Sequence, residues 1–222
     1  MGAGQIVGTL GLTFNNFSGR NIFKKDTWTP LPSGDGQKLS LRAQTNGKFF
    51  QSYSASFTEP WLGGKKSNSL SVTLFNSIQT NGKKKSDITR QSINITGLSI
   101  GLGQRLKKPD DYFSIYHEIN YQYYVLQNYS SSFLFSDGYS NNLSLQETIF
   151  RNSVDAPIYP RMGSQFSFTL QLTPPYSWFN NKDYTNLTDQ EKYKFIEYHK
   201  WKFRCFLVYT LSMEQTRFKC KS

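Results

Sequence analysis

The chain has 222 residues, a formal net charge of +11, 16% aromatic residues and a mean hydropathy of −0.56. No apolar run approaches the roughly 18 residues of a membrane-spanning helix, which excludes helical spans but not a membrane barrel, whose strands carry polar residues at every second position. The two cysteines, Cys205 and Cys220, both fall in the last segment, which excludes a disulfide-rich secreted scaffold.

Alternation of period two recurs along the chain. Leu10, Leu12 and Phe14 alternate with Thr9, Gly11 and Thr13, the pattern of an extended strand whose side chains point to opposite faces. A long connection with Pro30, Pro32, Gly34 and Gly36 follows. Leu39, Leu41 and Ala43 mark a second strand, Asn46-Gly47 a hairpin turn, and Phe49, Gln51, Tyr53, Ala55 and Phe57 one face of the return strand. Pro60 stops that strand and Gly63-Gly64 turns the chain. Leu70, Val72, Leu74 and Ile78 form the next apolar row.

Between residues 90 and 106 the phase changes: Ile93 and Ile95 share one parity, Leu98, Ile100 and Leu102 the other. A bulge near Gly97 is the expected cause, because one extra residue flips the faces. The strand beyond Lys107-Lys108-Pro109 is long, with Phe113, Ile115, His117, Ile119, Tyr121, Tyr123 and Val125 on one side. It suits a tilted membrane-spanning strand of about 9–11 residues or more. Leu143, Leu145 and Ile149 begin another strand, closed by Pro157 and Pro160. Residues 165–173 give the cleanest alternation, with Phe166, Phe168, Leu170 and Leu172 opposite Ser167, Thr169 and Gln171. A polar loop with one helical turn around Asp189 leads to a last strand near Tyr198. About nine strands joined by hairpin-like connections predict an antiparallel up-and-down meander.

The basic clusters Lys24-Lys25, Lys65-Lys66, Lys83-Lys84-Lys85 and Lys107-Lys108 all lie between strand patterns. That placement predicts loops facing lipid headgroups and no nucleic-acid stripe.

Several stretches resemble the barrel of the BamA family (bacterial surface antigens), the insertases of the Gram-negative outer membrane. Residues 57–64, with Glu59, Pro60, Trp61 and Gly63, resemble that family's strand end and periplasmic turn. Residues 158–164, with Tyr159, Pro160, Arg161 and Gly163, resemble its turn into a central strand. The opening strand also fits. The resemblance implies an all-β, antiparallel up-and-down transmembrane β-barrel, incomplete here, with about nine of some sixteen strands. It implies an integral outer-membrane location, contact with outer-membrane lipids through Phe166, Phe168, Leu170 and Leu172, and no cofactor. For the full-length parent it implies unfolded outer-membrane clients and assembly-complex lipoproteins as partners, with a client strand pairing at a gate.

Met1 to Gln5 carry no basic or apolar signal region, so the expectation is a piece of a longer protein that lacks both gate strands. The partial barrel is expected over residues 1–203. Residues 204–222 form a divergent tail that loses the family pattern, as an out-of-frame end would; the alternative is a divergent strand, with Phe206 and Val208 alternating with Leu207 and Tyr209 as an all-apolar run.

No catalytic constellation is expected. His117 and His199 lack metal-ligand spacing, and Cys205 and Cys220 form no Cys-x-x-Cys pair. His117, on the largely apolar side of its strand, is expected to have a packing or interfacial role, and Asp110-Asp111 to be a solvated turn. Gly101-Leu102-Gly103 lacks the helix and third glycine of a dinucleotide loop, and Glu118 and Glu147 are expected to face the lumen. The alternatives to an insertase fragment are a passive outer-membrane channel or transporter and, less favoured by the long strands, a soluble β-sandwich binding acidic ligands.

Overall fold

A computed structural model describes residues 7–28, 30–64, 68–129, 135–179, 186–210 and 215–221. Ten strands make one sheet in strict chain order. They are β1 (Gly8–Phe17), β2 (Gln37–Thr45), β3 (Phe50–Glu59), β4 (Asn68–Thr80), β5 (Ser92–Arg105), β6 (Phe113–Gln127), β7 (Gly138–Asn152), β8 (Gly163–Leu172), β9 (His199–Thr210) and β10 (Gln215–Lys221). Every neighbouring pair is antiparallel. The expected up-and-down meander is therefore the fold, and the two-sheet sandwich is not. Two single-turn helices, α1 (Tyr176–Phe179) and α2 (Asp189–Lys192), sit in the connection between β8 and β9. Among the described residues no helix is long and apolar enough to cross a membrane.

The nine expected strands are joined by a tenth. β9 runs without interruption through residues 203 and 204, and β10 returns along it with Cys220 opposite Cys205 and Lys221 opposite Arg204. The all-apolar run 205–208 hides the period of two, which is why the pattern looks lost there. Lys24-Lys25, Lys83-Lys84-Lys85 and Lys107-Lys108 lie between strands; Lys65-Lys66 fall outside the described residues.

The expected bulge near Gly97 is absent. β5 keeps unbroken register with β4 from Asn68↔Gln104 to Thr80↔Ser92, and with β6 over its whole length. The phase change marks two apolar environments. Leu98, Ile100 and Leu102 join one face of the sheet, while Ile93 lies on the other, opposite Leu126, and both are buried. The register shift in the sheet falls instead in β1, between Phe14 and Phe17.

The loop between β8 and β9 folds back onto β7. β7 has 15 residues and β8 only 10, so the upper edge of β7 has no β8 partner. The Asn141 amide donates to the Lys194 carbonyl at 2.8 Å and the Ile196 amide to the Asn141 carbonyl at 2.9 Å. The segment thereby satisfies backbone groups that an open edge leaves exposed.

Candidate membrane-facing wall and turn rim

Register assigns every strand residue to one of two faces. One carries Leu10, Leu12 and Phe14 of β1, then Leu39 and Leu41, Tyr53 and Phe57, Leu70, Val72 and Leu74, and Leu98, Ile100 and Leu102. It continues through Ile115, Ile119 and Tyr121, Leu143, Leu145 and Ile149, to Trp201 and Phe203. The other is mostly serine, threonine, glutamine and asparagine, with Phe75, Ile93, Tyr116 and Leu126 and a few charged residues among them. The apolar row is open: Leu10 is 66% exposed, Leu74 55% and Ile119 53%. Buried apolar side chains among the described residues are few, with Phe17, Ile93, Leu126, Val208 and Pro32 among them. Among the described residues no layer covers this wall, and an exposed apolar patch of this extent marks a membrane or protein contact surface. From β2 to β9 every strand is paired on both sides, which is the condition for contact with hydrocarbon, while the outer edges of β1 and β10 have no partner in this sheet.

Phe166, Phe168, Leu170 and Leu172 lie on this apolar face. Their register partners are Arg151, Ile149, Glu147 and Leu145 on one side and Cys205, Phe203, Trp201 and His199 on the other. The Phe166 and Phe203 rings meet edge-on with centroids 5.1 Å apart.

Glu147 departs from expectation. Glu118 is on the polar face, where Gln146 Nε2 donates to its carboxylate at 3.3 Å. Glu147 is on the apolar face, directly opposite His117, and the His117 Nδ1 contacts its Oε2. Alternation alone requires this, because Glu147 shares parity with Leu145 and Ile149.

The polar face has its own architecture around β5. A Cβ on Gly97 would stand 2.3 Å from the Phe75 ring, and one on Gly101 2.0 Å from the Tyr116 hydroxyl. The glycines let side chains from β4 and β6 cross over β5. The Tyr116 hydroxyl reaches Ser71 Oγ at 2.8 Å across it. Gly101 and Gly103 thus serve strand packing.

The turns carrying Glu59–Gly64 and residues 153–162 lie at the same end of the sheet, with the connections 18–36 and 106–112. Glu59 closes β3. Its Oε2 accepts from Gln37 Nε2 at 2.6 Å and its Oε1 from the Trp61 amide at 3.2 Å. Gln37 Oε1 in turn accepts from the Gly19 amide at 2.7 Å, so Glu59 ties the turn to the Pro-rich connection. Pro60 begins the turn, Trp61 is exposed, and its carbonyl accepts from the Gly64 amide at 2.9 Å. Gly63 has φ 69°, a left-handed conformation that costs a side-chain-bearing residue about 1–2 kcal/mol.

In the second turn Tyr159 is 81% exposed with φ 57°, and Pro160 precedes Arg161. Gly163 has φ 116°, and a Cβ there would lie 2.3 Å from the Ser153 carbonyl oxygen. The residue that organises this turn is Asp155, which no sequence motif singles out. Its Oδ1 accepts from the amides of Ala156 and Arg161 at 3.0 Å and of Met162 at 3.3 Å. Desolvation pushes its pKa up, but these backbone bonds together outweigh it and hold the carboxyl below the ordinary aspartate value. The only signal in the sequence is an Asp two residues before Pro157.

Asp110 is also engaged at this rim. It pairs with Arg151, Nη2 to Oδ2 at 2.9 Å, while Arg151 Nη1 donates to Ser153 and Ser164 hydroxyls at 2.9 and 2.7 Å. The guanidinium also lies 5.7 Å from the centroids of Tyr112 and Phe113. Arg151 thereby joins the 106–112 connection to the 153–162 turn. Among the described residues no group of three or more metal-ligating side chains comes together.

A family model described as the Omp85 superfamily domain matches residues 33–218. Among solved structures, the chain is similar to BamA from Haemophilus ducreyi lacking POTRA domains 1–3, with a TM-score of 0.59 and 18% identity. The match covers 93% of this chain and 35% of that one, so the chain spans about a third of its length. No curated protein matches the chain.

Proposed function

Because the chain belongs to the Omp85 superfamily, we propose that its ten strands are part of the wall of an outer-membrane β-barrel that folds and inserts other barrels. The observation that carries this reading is the uncovered apolar face of a single ten-stranded meander, which needs lipid as its solvent. The exposed Trp61 and Tyr159 at the turn end suit the interfacial headgroup level, and the turns there are read as periplasmic. Phe166, Phe168, Leu170 and Leu172 then face acyl chains.

The role is that of a non-enzymatic insertase. Its partners are membrane lipids, unfolded barrel clients and assembly lipoproteins, and the activity belongs to the complete barrel that carries these strands. The test is reconstitution of that barrel in phospholipid vesicles, with the rate at which an unfolded client gains heat-modifiable mobility as the readout. The insertase reading expects faster client folding than in empty vesicles. Unchanged folding accompanied by ion conductance assigns a passive channel instead.

A further inference from the structure

The polar face is strongly asymmetric in charge. By register, its strand positions in β1–β9 include Lys38, Arg42, Arg105, Lys200, Lys202 and Arg204, against the single carboxylate of Glu118. Three of these cations occupy consecutive same-face positions on one strand. Lys200, Lys202 and Arg204 stand opposite Gln171, Thr169 and Ser167 of β8, and all line one recess of about 260 Å³ together with Gln146. The neutral neighbours are engaged with each other. Gln171 Nε2 donates to Ser144 Oγ at 3.0 Å and to the Tyr198 hydroxyl at 2.8 Å, and Thr148 and Thr169 hydroxyls lie 3.2 Å apart. Among the described residues, none of the three cations makes a salt bridge.

We propose that Lys200, Lys202 and Arg204 form a docking ladder for an acidic polypeptide segment in extended conformation. The proposal rests on the reading of the polar face as the barrel lumen. Alternate residues of β9 are spaced about 6.6 Å apart. Acidic side chains at every second position of another extended chain repeat at the same distance, so three carboxylates meet three cations in register. Arg204 adds a fork that can take a carboxylate through two parallel hydrogen bonds. The flanking hydroxyls and amides of β8 supply neutral partners between the charges. A recess free of carboxylates attracts such a segment and repels a basic one.

The experiment uses the complete barrel that carries these strands, folded in detergent micelles, and fluorescence anisotropy of a labelled peptide alternating Glu and Thr. Comparison peptides carry the same acidic residues in one block, or Lys in place of Glu. The variants are K200Q/K202Q/R204Q and, with the same loss of charge, the loop variant K83Q/K84Q/K85Q. Heat-modifiable gel mobility reports that each is folded. The expected result is tighter binding of the alternating peptide than of the block peptide. The ladder variant should weaken it by about tenfold, with no change in the loop variant.

Equal losses in both variants would reduce the effect to net charge and overturn the proposal. Equal affinity for the block peptide, or displacement by tripolyphosphate at lower concentration than by free alternating peptide, would overturn the extended-peptide occupant. If the complete wild-type barrel shows no folded band, the barrel reading fails and the ladder with it. A folded band without peptide binding sinks the ladder alone.

Discussion

His117 on β6 and Glu147 on β7 face each other directly, imidazole to carboxylate, on the apolar side of the sheet. Within their own strands they are flanked by Ile115 and Ile119 and by Leu145 and Ile149. The next strands present Leu102 and Leu170. A polar pair in such a row holds because each member satisfies the other. Removing one leaves its partner stranded against apolar neighbours, at a cost of about 2 kcal/mol. Removing both removes the problem. His117→Leu and Glu147→Leu should therefore each lower stability in vesicle-embedded urea unfolding, whereas the double variant should return to within about 1 kcal/mol of wild type. Additive losses would show that the two side chains do not depend on each other.

The two turn glycines should respond unequally to alanine. Gly63 has open space around its Cβ position and pays only for its φ of 69°. Gly163 combines φ 116° with a backbone oxygen 2.3 Å from the added carbon. Gly163→Ala should cost about 3 kcal/mol and Gly63→Ala about 1 kcal/mol, measured by the same unfolding assay. Equal costs would mean that the β7–β8 turn can shift to make room.

Asp155 makes the second turn acid-sensitive. Its pKa in the fold lies below the ordinary 3.8. Its contribution is therefore complete above the unfolded value and is lost as pH falls through the lower folded one. The protection of the Arg161 and Met162 amides, measured relative to intrinsic exchange, should fall as pH drops below the ordinary aspartate range in the wild type. In Asp155→Asn, whose side chain does not titrate, that pH step should vanish. A step of equal size in the variant would assign the acid sensitivity to another group.

Gly97 should tolerate no side chain without moving Phe75, whose ring would lie 2.3 Å from an added Cβ. Gly97→Val should cost about 1–3 kcal/mol, and a Phe75→Ala background should recover most of it. No recovery would place the penalty in the backbone of β5.

Most of the fold is legible in the sequence because alternation is a direct consequence of strand geometry. The clean period of residues 165–173 and the prolines at 60, 157 and 160 mark strands and ends without any tertiary information. Apolar content that serves two environments misleads. Ile93 and Leu98 sit on opposite faces of one unbroken strand, yet in sequence they imitate a slipped register. Charge suggests the lumen for Glu147, whereas its parity with Leu145 and Ile149 is the better guide. The continuation of β9 past residue 203 escapes notice because 205–208 are apolar at every position. Asp155 and Arg151 act across turns through backbone amides and serine hydroxyls, contacts that no spacing rule in the sequence encodes.

The central claim is that the row containing Leu12 and Phe168 meets lipid while Thr13 and Ser167 meet water. Single nitroxide labels at these four positions, in a Cys205→Ser/Cys220→Ser background reconstituted in vesicles, test it through oxygen and nickel-chelate accessibility. Labels at 12 and 168 should be open to oxygen and closed to the chelate, with the reverse at 13 and 167. Labels at 12 and 168 shielded from both reagents would place the apolar face inside a protein core and contradict it.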